Sequence, residues 1–151
     1  MFTLNQMTKE KIIMGSDHAG FDLKQEIIKN FGGQFEFIDI GCNNSQDSVD
    51  YPDFANLAAE EIMQKQANFG ILICGSGIGI SIAANRHKNI RAALCHNLET
   101  AKLARQHNNA NILCLGARTT KTQDALEMVK IFFQTEFLGG RHQRRVKKLG
   151  E

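Results

Sequence analysis

The chain has a single proline in 151 residues. Proline-rich linkers are therefore absent, and no internal repeat or low-complexity stretch divides the sequence. One domain with one core is expected over residues 11–151, ending in a basic helix. No apolar run approaches the ~20 residues needed to cross a bilayer, which argues against a membrane role. The first ten residues, MFTLNQMTKE, lack the basic and apolar regions of a secretory signal. They read as a flexible extension, and a cytoplasmic location is expected. Cys42, Cys74, Cys95 and Cys114 form no C-x-x-C pair and match no zinc spacing. Free thiols are expected, their ordinary role being that of small buried hydrophobes. Charge of one sign is also scarce, at a formal net +2. Arg141, Arg144, Arg145, Lys147 and Lys148 crowd the C-terminus, yet this aromatic-poor tail and weak net charge argue against nucleic acid as partner.

What the sequence does have is alternation. Short apolar runs at Lys11–Met14, Phe35–Ile40, Phe69–Cys74, Ile90–Leu94 and Asn111–Leu115 predict strands. Between them, helices are predicted at Phe21–Asn30, Asp53–Lys65, Gly79–His87, Leu98–His107 and Thr122–Thr135, with Asn97 a fitting N-cap for the fourth. A short final helix is predicted over Arg141–Leu149, with Val146 and Leu149 available to pack. The run FGILIC is apolar on both faces, as suits the centre of a parallel sheet. The fold expected is a three-layer α/β/α sandwich, Rossmann-like and doubly wound, on a five-stranded parallel sheet. Ligands of such folds bind beyond the carboxyl ends of the strands.

The stretch after FGILIC carries the strongest chemical signal. A buried strand ends at Cys74, Gly75-Ser76-Gly77-Ile78-Gly79 turns tightly, and a helix follows. Glycines expose backbone N–H groups to a ligand, and a helix start adds a positive dipole end. The spacing G-x-G-x-G is not the dinucleotide fingerprint, and the next strand ends in Leu94-Cys95-His96 without an acid. A Walker loop would need a lysine, and a cysteine-phosphatase loop an arginine where Ile80 stands. What remains is an anion hole beside a candidate base, the pairing needed to take a proton α to a carbonyl.

Three other clusters accompany it. Gly15-Ser16-Asp17-His18-Ala19-Gly20 follows the first strand, which places Asp17 and His18 on the edge that carries Cys74. The plain alternative is that Asp17 caps the next helix and His18 is an exposed loop residue. Arg105-Gln106-His107-Asn108-Asn109 ends a helix, where a protonated imidazole is favoured. In Gly139-Gly140-Arg141-His142-Gln143-Arg144-Arg145, Arg141 and Arg145 share a helix face and make a candidate phosphate clamp. Solvated helix ends are the plain reading of both.

The blocks GSDHAG, DYPDFA, ILICGSGIGISIAAN, RAALCHN, ARQHNNANILCLGAR and GGRHQRRV, in this order from about Lys11 to Lys148, resemble ribose-5-phosphate isomerase type B. The wider family includes allose- and galactose-6-phosphate isomerases. The resemblance implies an aldose–ketose isomerase of the pentose phosphate pathway that passes through a cis-enediolate. It implies that Cys74 moves the proton between C1 and C2, assisted by the Ser76 hydroxyl. The amides of Gly75, Ser76, Gly77, Ile78 and Gly79 would hold the enediolate. His107 would open the furanose ring, with Asp17 near it, and Asn108 would bind a sugar oxygen. His18, Arg118, Arg141 and Arg145 resemble phosphate and sugar contacts, with His142 a helper and Tyr51 lining the pocket. Another branch of the family places a glutamate just after the third glycine. Ile80 stands there, so the chain resembles the cysteine branch. Cys95 is a rival thiol by position but has no glycine loop behind it. The chemistry implied requires no metal and no organic cofactor.

One geometric expectation follows. Helices of this fold run antiparallel to the strands, so His107 and the Arg141–Arg145 tail should lie at the edge opposite Cys74. A homodimer with shared active sites is therefore expected, with a tetramer as the alternative. Rival readings are an isomerase for a six-carbon sugar phosphate and a non-catalytic module that binds sugar phosphates.

Overall fold

Apolar residues facing both ways along each strand demand cover on both sides of the sheet, and the computed structural model shows where that cover comes from. It describes residues 8–150. The order is β1 (Lys11–Ser16), α1 (Phe21–Phe31), β2 (Glu36–Asp39), α2 (Tyr51–Met63), β3 (Phe69–Cys74), α3 (Ile78–Ala84), β4 (Ala92–Leu94), α4 (Leu98–Gln106), β5 (Ile112–Gly116), α5 (Thr122–Gln134) and α6 (Arg141–Lys147). The five strands are all parallel, in the order β2-β1-β3-β5-β4. Of the flexible extension expected at residues 1–10, residues 1–7 lie outside the described residues.

Strand alternation divides the core in two. Ile12, Met14, Ile71, Ile73, Leu113 and Leu115 face one layer with apolar residues of α1, α4 and α5. Ile13, Leu72, Cys74, Ile112 and Cys114 face the other, against Ala55, Ala58 and Ala59 of α2 and Ile80 and Ala84 of α3. Small alanines let α2 approach the sheet closely. Each fully buried Ile or Leu contributes roughly 1.5–3 kcal/mol relative to exposure. The helices that follow β1 and β5 thus lie on one face, and the helix that follows β3 lies on the other. The helix after β3 thus lies on the face opposite those after both of its strand neighbours, which makes the carboxyl end of β3 a switch point, where ligands bind in such sheets.

A buried cation braces the entry to the β2–α2 loop. Lys24 of α1 is fully buried and donates to Asp39 Oδ1 at 2.6 Å and to the Cys42 carbonyl at 2.7 Å. Asp39 Oδ1 also accepts the Gly41 N–H at 3.0 Å.

Several boundaries differ from the sequence expectation, each for a local reason. Helix α2 begins at Tyr51, two residues earlier than expected, because Pro52 suits a first helical turn. Helix α3 covers Ile78–Ala84 rather than Gly79–His87. The Asn85 side chain donates to the Ala92 carbonyl and accepts its N–H, both at 2.8 Å, which stops the helix against β4. Strand β4 loses Ile90 and Arg91 because the Arg91 N–H goes to Asn111 Oδ1 at 2.8 Å. Phe35 leaves β2 because its N–H closes the end of α1 on Phe31. Helix α6 stops at Lys147, and Val146 is buried while Leu149 is 59% exposed rather than packed. The Asn97 cap is present, accepting from Thr100 N at 2.8 Å within a capping box.

Candidate active site

Cys74 is the last residue of β3 and is buried. Two bonds tie its neighbourhood to the end of β5: Ala117 N–H to the Cys74 carbonyl and Arg118 N–H to the Gly75 carbonyl, both 2.9 Å. Gly77 then turns the chain with φ of +77°, a conformation that disfavours any side chain. A Cβ there would also meet Leu94 and the Leu115 carbonyl carbon. The turn points the Gly77 N–H back at the Cys74 sulfur, 3.1 Å away. The Ser76 hydroxyl oxygen accepts the Ile78 N–H at 3.2 Å, at the start of α3. A thiol and a chain of backbone amides are thereby held at one point of the sheet edge.

Other predicted residues gather at the same edge. The Asp17 N–H bonds the Ile73 carbonyl at 3.1 Å, next to Cys74. Asp17 Oδ1 accepts the Gly20 N–H at 3.1 Å and so closes the turn before α1, but the helix cap considered for it is not formed: Gly20 is the N-cap and no side chain caps the helix. His18 is not merely an exposed loop residue: its Nδ1 accepts the Val49 N–H at 3.2 Å. In the neutral ring this leaves the proton on Nε2, which can donate. The Arg118 guanidinium lies over Gly75, where an added Cβ would come within 3.1 Å of Nη1. Tyr51, at the start of α2, packs its ring against Gly79. A side chain at position 79 would collide with the Tyr51 ring and come within 2.7 Å of its hydroxyl oxygen.

The remaining thiols differ electrostatically. Burial pushes Cys95 up to about 11, against a weaker opposing hydrogen bond from Thr100. Burial also raises Cys114 well above the usual thiol range, helped by its neighbours Cys95 and Cys74. Both are kept as neutral thiols near pH 7.

His107, Asn108, Arg141, His142 and Arg145 form a second cluster elsewhere. His107 ends α4, and its ring stacks on His142 at 4.3 Å between centroids and 14° between planes. Burial, followed by the charges of His107, Arg141 and Arg145, holds His142 below the usual imidazole range. Asn108 is exposed beside them, as are Arg141 and Arg145, one turn apart on α6. This cluster lies at the amino edge of the sheet. Cys74 pairs with Gly116 and Gly70 with Ile112, so four residues of strand, about 13 Å, separate the two edges before the turn at His107 is counted. One chain therefore brings together Cys74, the glycine loop, Asp17, His18, Tyr51 and Arg118, and keeps His107 and the tail apart from them.

The sequence reading missed three supports. The Val49 N–H is a backbone group and leaves no sequence signal. Lys24 reads from its one-letter code as a solvated helix residue. Arg105 stood inside a chosen block without a role, although an arginine on the apolar side of α4 was the signal.

The model for Ribose/Galactose Isomerase matches residues 12–149. The chain belongs to the ribose/galactose isomerase family. It is by that membership an isomerase. It is 41% identical over 141 residues to ribose-5-phosphate isomerase B of Escherichia coli K12, covering 93% of this chain and 94% of the relative. The structure of ribose-5-phosphate isomerase B from Clostridium thermocellum superposes with a TM-score of 0.90 at 48% identity, covering 93% and 95% of the two chains. The Mycoplasma genitalium ribose-5-phosphate isomerase B structure, with bound ribulose-5-phosphate, gives a TM-score of 0.90 at 42% identity, covering 95% of each chain. For this ribose/galactose isomerase, no helix among the described residues is long and apolar enough to cross a membrane.

Proposed function

We propose that this isomerase interconverts ribose 5-phosphate and ribulose 5-phosphate, with each active site built from two subunits. The sugar enters as a ring, and His107 of the second subunit moves the proton that opens it. Cys74 then takes the proton from C2. The C–H electrons form the C1–C2 double bond, and the carbonyl oxygen becomes an oxyanion. Amides of the Gly75–Gly79 loop hold that charge, the contribution for which one donor is typically worth about 10²–10³-fold in rate. A proton passes from the C2 oxygen to the C1 oxygen, and the Cys74 thiol, assisted by the Ser76 hydroxyl, returns its proton to C1. Arg118, His18 and the second subunit's tail arginines are assigned to the phosphate and sugar oxygens, Asn108 to a sugar hydroxyl, and Tyr51 to the pocket wall.

The observation that carries this reading is the Cys74 sulfur set 3.1 Å from a backbone amide at the switch point of the sheet. Likeness to relatives that are ribose-5-phosphate isomerases supports the substrate. The family description names galactose as well, so a six-carbon sugar phosphate is the second reading. Turnover on ribose, allose and galactose phosphates, measured in chelator with wild type and Cys74→Ala side by side, tests both. Turnover by Cys74→Ala equal to wild type overturns the mechanism.

The separation of the two clusters supports the contribution of a second subunit. Co-expressed Cys74→Ala and His107→Ala chains test it. Each is inactive alone, but random mixing in a two-fold dimer rebuilds about a quarter of the sites. No recovered activity in verified heterodimers overturns the shared site.

A further inference from the structure

The turn that presents His107 and Asn108 is clasped by a side chain from its own helix. Arg105 is 8% exposed. Its Nη1 donates to the Ala110 carbonyl at 2.6 Å and to Asn109 Oδ1 at 3.0 Å. The clasp closes directly over residues 106–108. The backbone it grips is unusual, since Asn109 has φ of +48°. The same guanidinium reaches a second segment: Nε donates to the Thr135 carbonyl at 3.2 Å, where α5 ends and the chain turns toward α6. A bond from the Leu138 N–H to the Gln106 carbonyl, 3.1 Å, ties the same two segments beside it. Phe69 and Phe132 lie near the guanidinium, with centroids at 5.1 and 5.7 Å.

Net stability is a weak reason for an arginine here. All three acceptors are neutral, and no carboxylate pairs with Arg105 among the described residues. Withdrawing a guanidinium from water is costly, and that cost offsets much of what its three hydrogen bonds contribute. What only the planar fork supplies is a set of donors at fixed angles to two chain segments. One segment carries His107 and Asn108. The other leads to Arg141, His142 and Arg145. Among the described residues, the ring contact that joins these two segments is the His107–His142 stack.

We propose that Arg105 is a positioning residue that sets His107 and Asn108 in register with the tail, so that both reach the second subunit's Cys74 together. The proposal rests on the shared-site reading. Displacement of a reacting group by ~1 Å can cost about 10²-fold in rate.

Arg105→Met and Arg105→Lys test this, each read by thermal unfolding, by the imidazole resonances of His107 and His142, and by kcat and KM on ribose 5-phosphate. Arg105→Met strands the Ala110 and Thr135 carbonyls and Asn109 Oδ1, so it is expected to unfold at a lower temperature than wild type and, where folded, to lose the mutual ring-current shifts of the two histidines and about 10²-fold in kcat. Arg105→Lys keeps the charge but not the fork, and is expected to restore neither. Should Arg105→Met fail to fold, Arg105→Lys alone decides. A folded Arg105→Lys with wild-type histidine resonances and kcat overturns the proposal, as does the same result for Arg105→Met. If the wild type turns over no ribose 5-phosphate, the substrate reading fails on its own, and the histidine resonances still report whether Arg105 sets the stack.

Discussion

Consider removing each partner of the Lys24–Asp39 pair. The two ends are unequal: the Lys24 side chain is fully buried, while the Asp39 side chain is 39% exposed. Asp39→Ala leaves an ammonium sealed in the protein with one remaining acceptor, the Cys42 carbonyl. Stranding a buried charge in this way costs about 3–5 kcal/mol. Lys24→Met removes the charge and keeps the volume. Asp39 then rehydrates through its exposed side and retains the Gly41 N–H. The main loss is the donor to the Cys42 carbonyl, about 1–3 kcal/mol. Asp39→Ala should therefore be the more destabilising change, and the double variant should lie near Lys24→Met alone. Urea unfolding at one fixed protein concentration measures this, since oligomer stability depends on concentration. Equal losses for the two single variants, or simple additivity in the double, would refute the reasoning that a stranded ammonium dominates.

Cys74→Ala should lose about 10²–10⁴-fold in turnover on ribose 5-phosphate, the usual scale of general-base help, with its melting transition nearly unchanged. Gly79→Ala should displace the Tyr51 ring and destabilise the protein. Adding Tyr51→Ala should recover part of that loss, a coupling of about 0.5–3 kcal/mol in a double-mutant cycle. His142 should titrate below the ordinary imidazole value of ~6.5 in an NMR pH series, and Arg145→Gln should move its midpoint upward by removing a repelling charge. Because its folded value is lowered, the neutral ring is favoured in the folded state. The stability this contributes is full above the ordinary value and is lost as pH falls through that value toward the lowered one. Iodoacetamide at pH 8 should leave Cys95 and Cys114 unlabelled in peptide maps of the folded protein, because Cys95 is pushed up to about 11 and Cys114 is buried among apolar side chains.

By itself the sequence determined the alternation of elements, because strand and helix periods are local and apolar runs such as FGILIC declare burial without a partner. It also determined which groups could do chemistry. A thiol followed by three spaced glycines has few readings, and the order of the blocks selects among them. Element ends were less legible, because the bonds that end α3 and β4 come from Asn85 and Asn111, side chains that meet distant backbone. Only the tertiary structure decided the strand order, in which β3 lies between β1 and β5, and β5 between β3 and β4. It also decided that Lys24 and Arg105 are buried and bonded, although their one-letter codes suggest solvent. Burial and long-range hydrogen bonds depend on which segments become neighbours, and the period of a single segment carries no record of that choice.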